Sequence, residues 1–409
     1  MTDNATGELA PGPDLELLEA GAALSRLFGE DPQFSRAGGG NSSAKTDEVL
    51  YIKPSGVSLA SMTAAALMPL ALAPLLELAD GAPGDAPPGS EAVMRTAMAA
   101  RLRDEGDRRP SVECVFHALI PSRFVIHTHP TLVNSLTCAR DGEAIAKDLL
   151  GDDALWVPYV DPGLPLAREI ARLRRAHVAR TGAAAPDVTL LQNHGLIVAG
   201  DDPPAVVDRS YALVDTLRPH VVGGPSAADA TPPTADPAMV DRLSRVLGRR
   251  LATGPEPLDV AFDGSMDAAW LAGTAEGEAL AGGGPLMPDQ IVYAGSWPLW
   301  IEPAVDDEAG LDALIAAAVA ACVATRGERP IIVVVAGVGV FASGAGARQA
   351  ETAREIYLDA TRVGRGALRL GGVRPLATAE RRFIETWEAE AYRRGIEPQP
   401  GAEARSSLS

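Results

Sequence analysis

The stretch Phe124-Val125-Ile126-His127-Thr128-His129-Pro130 constrains this chain more than any other. It reads as a short buried strand with two histidines one residue apart. Side chains alternate across a strand, so His127 and His129 leave the same face, their Cα atoms roughly 6.6 Å apart at about 3.3 Å rise per residue. Two imidazoles at that separation can lean onto one cation at Zn–N distances of about 2.0–2.1 Å. Thr128 points to the other face with Ile126 and Phe124. Pro130 lacks an N–H and closes the strand, which leaves His129 at an edge where a site can open. Alone, such a pair is more often two hydrogen-bonded or surface histidines, and two imidazoles need a third ligand.

The chain has six histidines, so the search is short. His177 and His220 lie in polar, basic helical contexts and are expected to be solvated. His194 follows the apolar run Val188-Thr189-Leu190-Leu191 and precedes Gly195, in a strand that ends in Gln192-Asn193-His194-Gly195. That puts a histidine at a turn beside a residue that lets backbone approach closely. His194 is the expected third ligand.

Upstream, residues 14–30 have helical spacing. Gly38-Gly39-Gly40-Asn41-Ser42-Ser43-Ala44-Lys45 reads as a turn with main-chain, amide, hydroxyl and ammonium donors, and Pro54-Ser55-Gly56 as a second turn after the strand at 49–53. Each alone is an ordinary glycine turn; together they can hold an oxyanion or phosphate. Ser111 opens a helix over 112–119, on which Glu113 and His117 stand at i and i+4. Glu113 could be a solvated first-turn acid and His117 a core or surface histidine. The helix leads directly into the histidine strand, which favours a functional carboxylate at Glu113. Further helices are expected over 131–139, 164–180 and 204–217. Tyr159, in the loop Trp156 to Gly163, is either a phenol acid or a packing residue.

Length points to two domains: a metal-dependent catalytic domain over 14–222, a linker over 223–237 rich in Pro, Ala, Ser and Thr, and a C-terminal α/β domain over 238–400. In the latter, Gly337-Val338-Gly339-Val340-Phe341-Ala342 follows the strand Ile331 to Val335 and has the form of a dinucleotide turn. The acid expected at the end of a second strand is missing, so a tight strand-to-helix packing turn is the preferred reading. The net charge of −18 excludes a general nucleic-acid binder, and an anionic substrate would need a local pocket of donors. The three cysteines show no Cys-x-x-Cys spacing, which points to free thiols and a reducing, cytoplasmic setting. Met1 to Pro13 has no basic or apolar leader pattern, and no run of about 18 apolar residues free of charge and proline occurs, so no membrane span is expected.

Six motifs in order carry a family resemblance over roughly residues 20–220: Gly39-Gly40-Asn41-Ser42-Ser43, Lys53-Pro54-Ser55-Gly56, Pro110-Ser111-x-Glu113-x-x-x-His117, His127-Thr128-His129-Pro130, Pro158-Tyr159-x-x-Pro162-Gly163 and Asn193-His194-Gly195. The chain resembles the class II aldolase/adducin family. Pro298-Leu299-Trp300, Gly337 to Phe341 and Trp387-Glu388-x-Glu390-Ala391-Tyr392 look like the aldolase portion of bifunctional rhamnulose-1-phosphate aldolase/short-chain dehydrogenase proteins, without the dehydrogenase part. The resemblance implies a three-layer α-β-α fold with a mostly antiparallel sheet, plus a second, smaller α/β domain. It implies Zn2+ or another divalent metal on His127, His129 and His194, with Glu113 as acid/base. Tyr159 matches a family tyrosine implicated as a proton donor, often to a neighbouring subunit. Gly40, Asn41, Ser55, Gly56 and Ser111 match substrate-phosphate positions. Val112 departs from a second serine there, and Lys45 or Lys53 is the expected substitute. The implied activity is reversible cleavage of a ketose 1-phosphate, with a small-molecule sugar phosphate as partner and a homo-oligomeric assembly. A sugar-phosphate 4-epimerase or dehydratase on the same metal, or an adducin-like interaction module, are the alternatives; the intact histidine set speaks against the last.

Overall fold

The computed structural model describes residues 13–80, 90–222, 235–303 and 307–387, and these form two compact units. The first runs to Val221 and includes Thr386 and Trp387; the second runs from Val222 to Glu385. The positions 223–234, where the linker is expected, and 388–392 of the Trp387 motif lie outside the described residues.

The first unit opens with α1 (Pro13–Glu30), whose first turn carries Asp14 and Glu16. Negative charge is favoured there by the free N–H groups of the helix start. Leu17, Leu18, Leu24 and Phe28 form its buried stripe. Next come β1 (Asn41–Lys45), β2 (Val49–Ile52), β3 (Met68–Ala71), α2 (Leu72–Asp80), α3 (Ser90–Ala99) and α4 (Cys114–Leu119). β4 (Phe124–Thr128) leads through α5 (Thr131–Thr137) and α6 (Gly142–Leu150) to β5 (Ala154–Val157) and α7 (Leu164–Thr181). β6 (Val188–Leu191), β7 (Gly195–Gly200) and α8 (Pro203–Val221) complete it.

The seven strands order as β3-β2-β1-β4-β7-β6-β5, antiparallel throughout except between β5 and β6. α1, α5 and α8 make one helical layer, and α2, α4 and α7 the other. The expected α-β-α sandwich therefore forms, with β4 in the middle of its sheet. Alternation turns Val125 and His127 toward the α4 layer.

One central strand departs from the sequence reading. Asn41 to Lys45, read as part of a glycine turn, is β1, and all five residues are buried. Its polar side chains are tolerated because each finds a partner across the layers. Asn41, Ser43 and Lys45 alternate toward α4, while Ser42 on the other side meets Ser25 of α1. His177, expected in solvent, is buried on α7, on the helical face that also carries Leu166 and Ile170. Cys114, Cys138 and Cys322 are free thiols, and burial pushes Cys114 up to about 12, which keeps it unreactive.

The second unit contains α9 (Pro237–Leu251), β8 (Asp259–Asp263), α10 (Met266–Gly273), α11 (Ala275–Gly282), β9 (Leu299–Ile301) and α12 (Glu308–Arg326). β10 (Ile332–Val335), β11 (Gly339–Gly344), α13 (Ala347–Arg369) and α14 (Thr378–Thr386) follow. Its sheet orders as β8-β11-β10-β9. The stretch Gly337 to Ala342 is neither a dinucleotide turn nor a strand-to-helix turn. It joins β10 and β11 as an antiparallel hairpin with Val335 opposite Gly339, so no helix N-terminus stands at those glycines to receive a phosphate. Among the described helices, α12 alone is long and apolar enough to cross a membrane. Its Leu311, Ile315 and Val319 pack with Val333 and Phe341 in the core of this unit.

Candidate metal centre

β4 lies between β1 and β7, with His127 opposite Asn41 on one side and Ile197 on the other. Because β4 and β7 are antiparallel, the end of one meets the start of the other, and the β6–β7 turn carries His194 to the two strand histidines. Asn193 adopts a φ of 55° in that turn, a left-handed conformation that Asn tolerates better than most residues. The His194 N–H donates to the Leu191 carbonyl at 3.1 Å. Gly195 must be glycine: a Cβ would sit 2.5 Å from the Thr128 carbonyl oxygen and 2.7 Å from His129 Cδ2. Gly40 serves β1 likewise, with φ of 78° and the His127 carbonyl oxygen 2.6 Å from where a Cβ would be.

One ring nitrogen from each of His127, His129 and His194 lies within 4.8 Å of the others. His127 Nδ1 donates to the Leu196 carbonyl at 2.9 Å, which leaves the lone pair on Nε2. His129 Nε2 is 3.0 Å from His127 Nε2, so a proton or a cation must lie between them. Two ligand nitrogens on a tetrahedral zinc at about 2.0–2.1 Å are about 3.3 Å apart. The donor set fits a divalent ion with only a small adjustment. Burial pulls the His127 pKa down to about 3, against the opposing charge of Glu113, and a neutral ring is the form that coordinates.

Glu113, the residue before α4, faces this cluster from the helical layer. Its Oε1 is 3.6 Å from His194 Nε2 and its Oε2 3.7 Å from His127 Nε2. Asn41 Nδ2 donates to Glu113 Oε2 at 2.6 Å, and Asn41 Oδ1 bonds His117 Nε2. His117 Nδ1 is 2.8 Å from the Ser43 hydroxyl. Since the Asn41 amide donates to the carboxylate, its oxygen accepts from His117 Nε2–H, and Ser43 donates to His117 Nδ1. Every link donates toward Glu113. Burial, aided by the Lys45 charge, holds His117 well below its ordinary pKa, so the ring stays neutral as a link.

The structure gives Lys45 a different task from phosphate binding. Its ammonium donates to the His117 and Ile120 carbonyls at the end of α4, where a helix favours positive charge. Burial, with the Arg174 charge behind it, lowers Lys45 to about 7. Lys53 Nζ donates to the Val57 carbonyl at 2.7 Å and stiffens the turn that holds Ser55 and Gly56. That turn is stitched to the approach to α4: the Ser55 N–H donates to the Arg109 carbonyl at 2.9 Å, and its hydroxyl to the Pro110 carbonyl at 3.1 Å. Ser111 Oγ accepts from the Glu113 N–H at 3.3 Å. Ser55, Gly56 and Ser111 thus form one seam that leads to Glu113. Tyr159, half-buried after β5, is tied by its N–H to Gln192 Oε1 at 3.0 Å, at the root of the His194 turn. Its hydroxyl donates to Asp161 at 3.5 Å, a carboxylate outside the cluster. The sequence reading left His117 without a role; its i,i+4 spacing from Glu113 was the available signal.

Imidazoles from two strand ends, with a carboxylate from a facing helix, define a candidate for metal-assisted chemistry on a small substrate. Comparison with known proteins places this architecture. Residues 19–221 match the family model described as class II aldolase and adducin N-terminal domain, and residues 318–393 match aldolase class II, second domain. The chain carries a class II aldolase/adducin domain. A curated relative, the uncharacterized oxidoreductase YuxG of Bacillus subtilis (strain 168), is 27% identical over 413 residues, covering 93% of this chain. The chain spans 58% of that relative's length. Among solved structures, the N-terminal class II aldolase domain of a conserved protein from Thermoplasma acidophilum is 25% identical, with a TM-score of 0.43 over 54% of this chain and 98% of its own. L-fuculose 1-phosphate aldolase from Glaciozyma antarctica PI12 is 14% identical, with a TM-score of 0.33 over 57% of this chain and 84% of its own.

Three outcomes follow from this geometry. Gly195→Ala forces overpacking against backbone, which costs about 1–3 kcal/mol, and should lower Tm by several degrees in a thermal melt; an unchanged melt would contradict the close approach at Thr128. His194→Ala should strip the bound divalent ion in equilibrium dialysis. His117→Leu should retain the ion while losing about 1–3 kcal/mol of stability from the buried polar groups left behind at Asn41 and Ser43. Equal metal loss in both variants would contradict the division of roles.

Proposed function

We propose that this chain is a metal-dependent aldehyde-lyase that reversibly cleaves a ketose 1-phosphate, of the rhamnulose-1-phosphate type, to dihydroxyacetone phosphate and a small hydroxyaldehyde. The observation that carries the reading is the meeting of His127, His129 and His194 with both oxygens of Glu113, 3.6 and 3.7 Å from two of the rings. A divalent cation held by the three histidines supplies Lewis-acid polarisation of the substrate carbonyl oxygen.

The residues of the chain account for the rest. Glu113 is buried and oriented by Asn41, so it can carry the proton that ends on the carbon released by C–C cleavage. In the reverse direction it removes that proton from dihydroxyacetone phosphate. Gly56 and Ser111, on the seam leading to Glu113, are assigned to the phosphate, and Ser55, whose N–H and hydroxyl donate to the Arg109 and Pro110 carbonyls, to holding the turn that presents Gly56. The Asn41 amide is engaged by Glu113 and His117, so its contribution to phosphate binding is assigned second place. Tyr159 or a water handles the proton of the aldehyde oxygen. Water exclusion follows from burial of Glu113, His127 and His194.

The test is a panel of ketose 1-phosphates with product analysis. A lyase splits the carbon chain; an epimerase or dehydratase leaves it whole. Glu113→Gln should lower turnover by roughly 10²- to 10⁴-fold with bound metal unchanged, and wild-type turnover in that variant removes Glu113 from the chemistry. Chelation should abolish cleavage and added divalent metal restore it; cleavage that survives complete chelation would overturn the metal-dependent reading.

A further inference from the structure

The second unit repeats, strand for strand, the half of the first unit that bears the histidines. In β4-β7-β6-β5 the successive pairings are antiparallel, antiparallel and parallel. In β8-β11-β10-β9 they are the same, in the same chain order. Two short helices, α5 and α6, join β4 to β5, and α10 and α11 lie between β8 and β9. One long helix, α7 or α12, precedes the hairpin, and another, α8 or α13, follows it.

The match extends to single hydrogen bonds. Gln192 N–H donates to Val157 O at 3.0 Å, and Ala336 N–H to Ile301 O at 2.9 Å. His194 N–H donates to Leu191 O at 3.1 Å, and Val338 N–H to Val335 O at 3.0 Å. Asn193 N–H donates to Thr137 O at 3.1 Å, and Gly337 N–H to Ala272 O at 2.9 Å; both donors have left-handed φ, 55° and 71°. The glycine after each turn meets the same wall. A Cβ on Gly195 would approach Thr128 O at 2.5 Å and the His127 ring at 3.0 Å; on Gly339 it would approach Asp263 O at 2.4 Å and the Phe262 ring at 2.9 Å. Strand pairing agrees, since Thr128 is opposite Leu196 and Asp263 opposite Val340.

These equivalences fix the three positions that matter. Phe262 stands where His127 stands, Gly264 where His129 stands and Val338 where His194 stands. None of the three can coordinate a metal. The Phe262 ring packs instead against Phe341, with centroids 4.8 Å apart. We propose that residues 259–369 are a duplicate of the metal-bearing half in which an aromatic residue, a glycine and an aliphatic residue stand in place of the three ligands. Among the described residues there is then one cation site, in the first unit, and the second unit keeps the frame of a latent metal site that three substitutions reopen. The inference rests on the metal reading of the first unit.

The experiment is metal stoichiometry on the full chain loaded with Co2+, read by elemental analysis and by the visible spectrum of the bound ion. Wild type should carry one equivalent and His127→Ala/His194→Ala none. Phe262→His/Gly264→His/Val338→His should carry two, doubling the spectral intensity per chain. A wild type with two equivalents, or a folded triple variant that still holds one, would overturn the duplication while leaving the first site in place; a double-alanine chain that keeps the single equivalent of wild type would overturn the first site and the inference with it. A wild type with none would overturn the metal reading and the duplication with it. Should the triple variant fail to fold, Gly339→Ala keeps the duplication testable: a Cβ there would meet the Asp263 carbonyl oxygen at 2.4 Å, as one on Gly195 meets that of Thr128 at 2.5 Å, so Gly195→Ala and Gly339→Ala should both lower Tm, and an unchanged melt for Gly339→Ala would overturn the equivalence.

Discussion

A carboxylate taken out of water is costly unless donors or a cation stand where water stood. Glu113 is that carboxylate, and much of the first unit is arranged around it. β1 must be polar because Asn41 has to donate to it. His117 must be neutral because it orients Asn41, and Ser43 orients His117 in turn. The three imidazoles on the other side come from two strand ends that only an antiparallel β4–β7 pair brings together. The burial of a hydrophilic strand is the consequence of one desolvated charge.

The histidine cluster was legible in the sequence because two simple periodicities carry it. The alternation of β4 puts His127 and His129 on one face, and the apolar run of β6 breaks at Asn193-His194-Gly195 in a turn. The helices α1, α5, α7 and α8 follow from their apolar spacing. β1 was not legible, since Asn, Ser and Lys beside three glycines have the composition of a turn. Their strand conformation depends on tertiary partners on α4 and α1 that no local pattern announces. β5 was hidden for another reason: its four apolar residues stand between Asp152-Asp153 and Pro158, too short a run to announce a strand.

Gly337 to Ala342 failed for a different reason. A strand, a glycine pair and a helix further on suit both a phosphate turn and a hairpin, and only the pairing of Val335 with Gly339 separates them. The duplication was equally invisible along the chain. The ligands that would have advertised it are the residues that changed, and what persists is backbone: hydrogen bonds, a left-handed turn residue and a glycine pressed against a carbonyl. Lys45 shows the opposite error, in which a residue type suggested a ligand and the fold used it as a cap.

That cap has a wider effect. α4 is fastened at its far end by an ammonium from β1 and at its near end by Ser111, so the sheet and the segment that enters the helix together hold it in place. The Ser55 turn shares that task through Arg109 and Pro110, whose carbonyls accept from the Ser55 N–H and hydroxyl. A change in the Ser55 turn or at Arg109-Pro110 would therefore shift the start of the helix, and the proton-handling group would move with it.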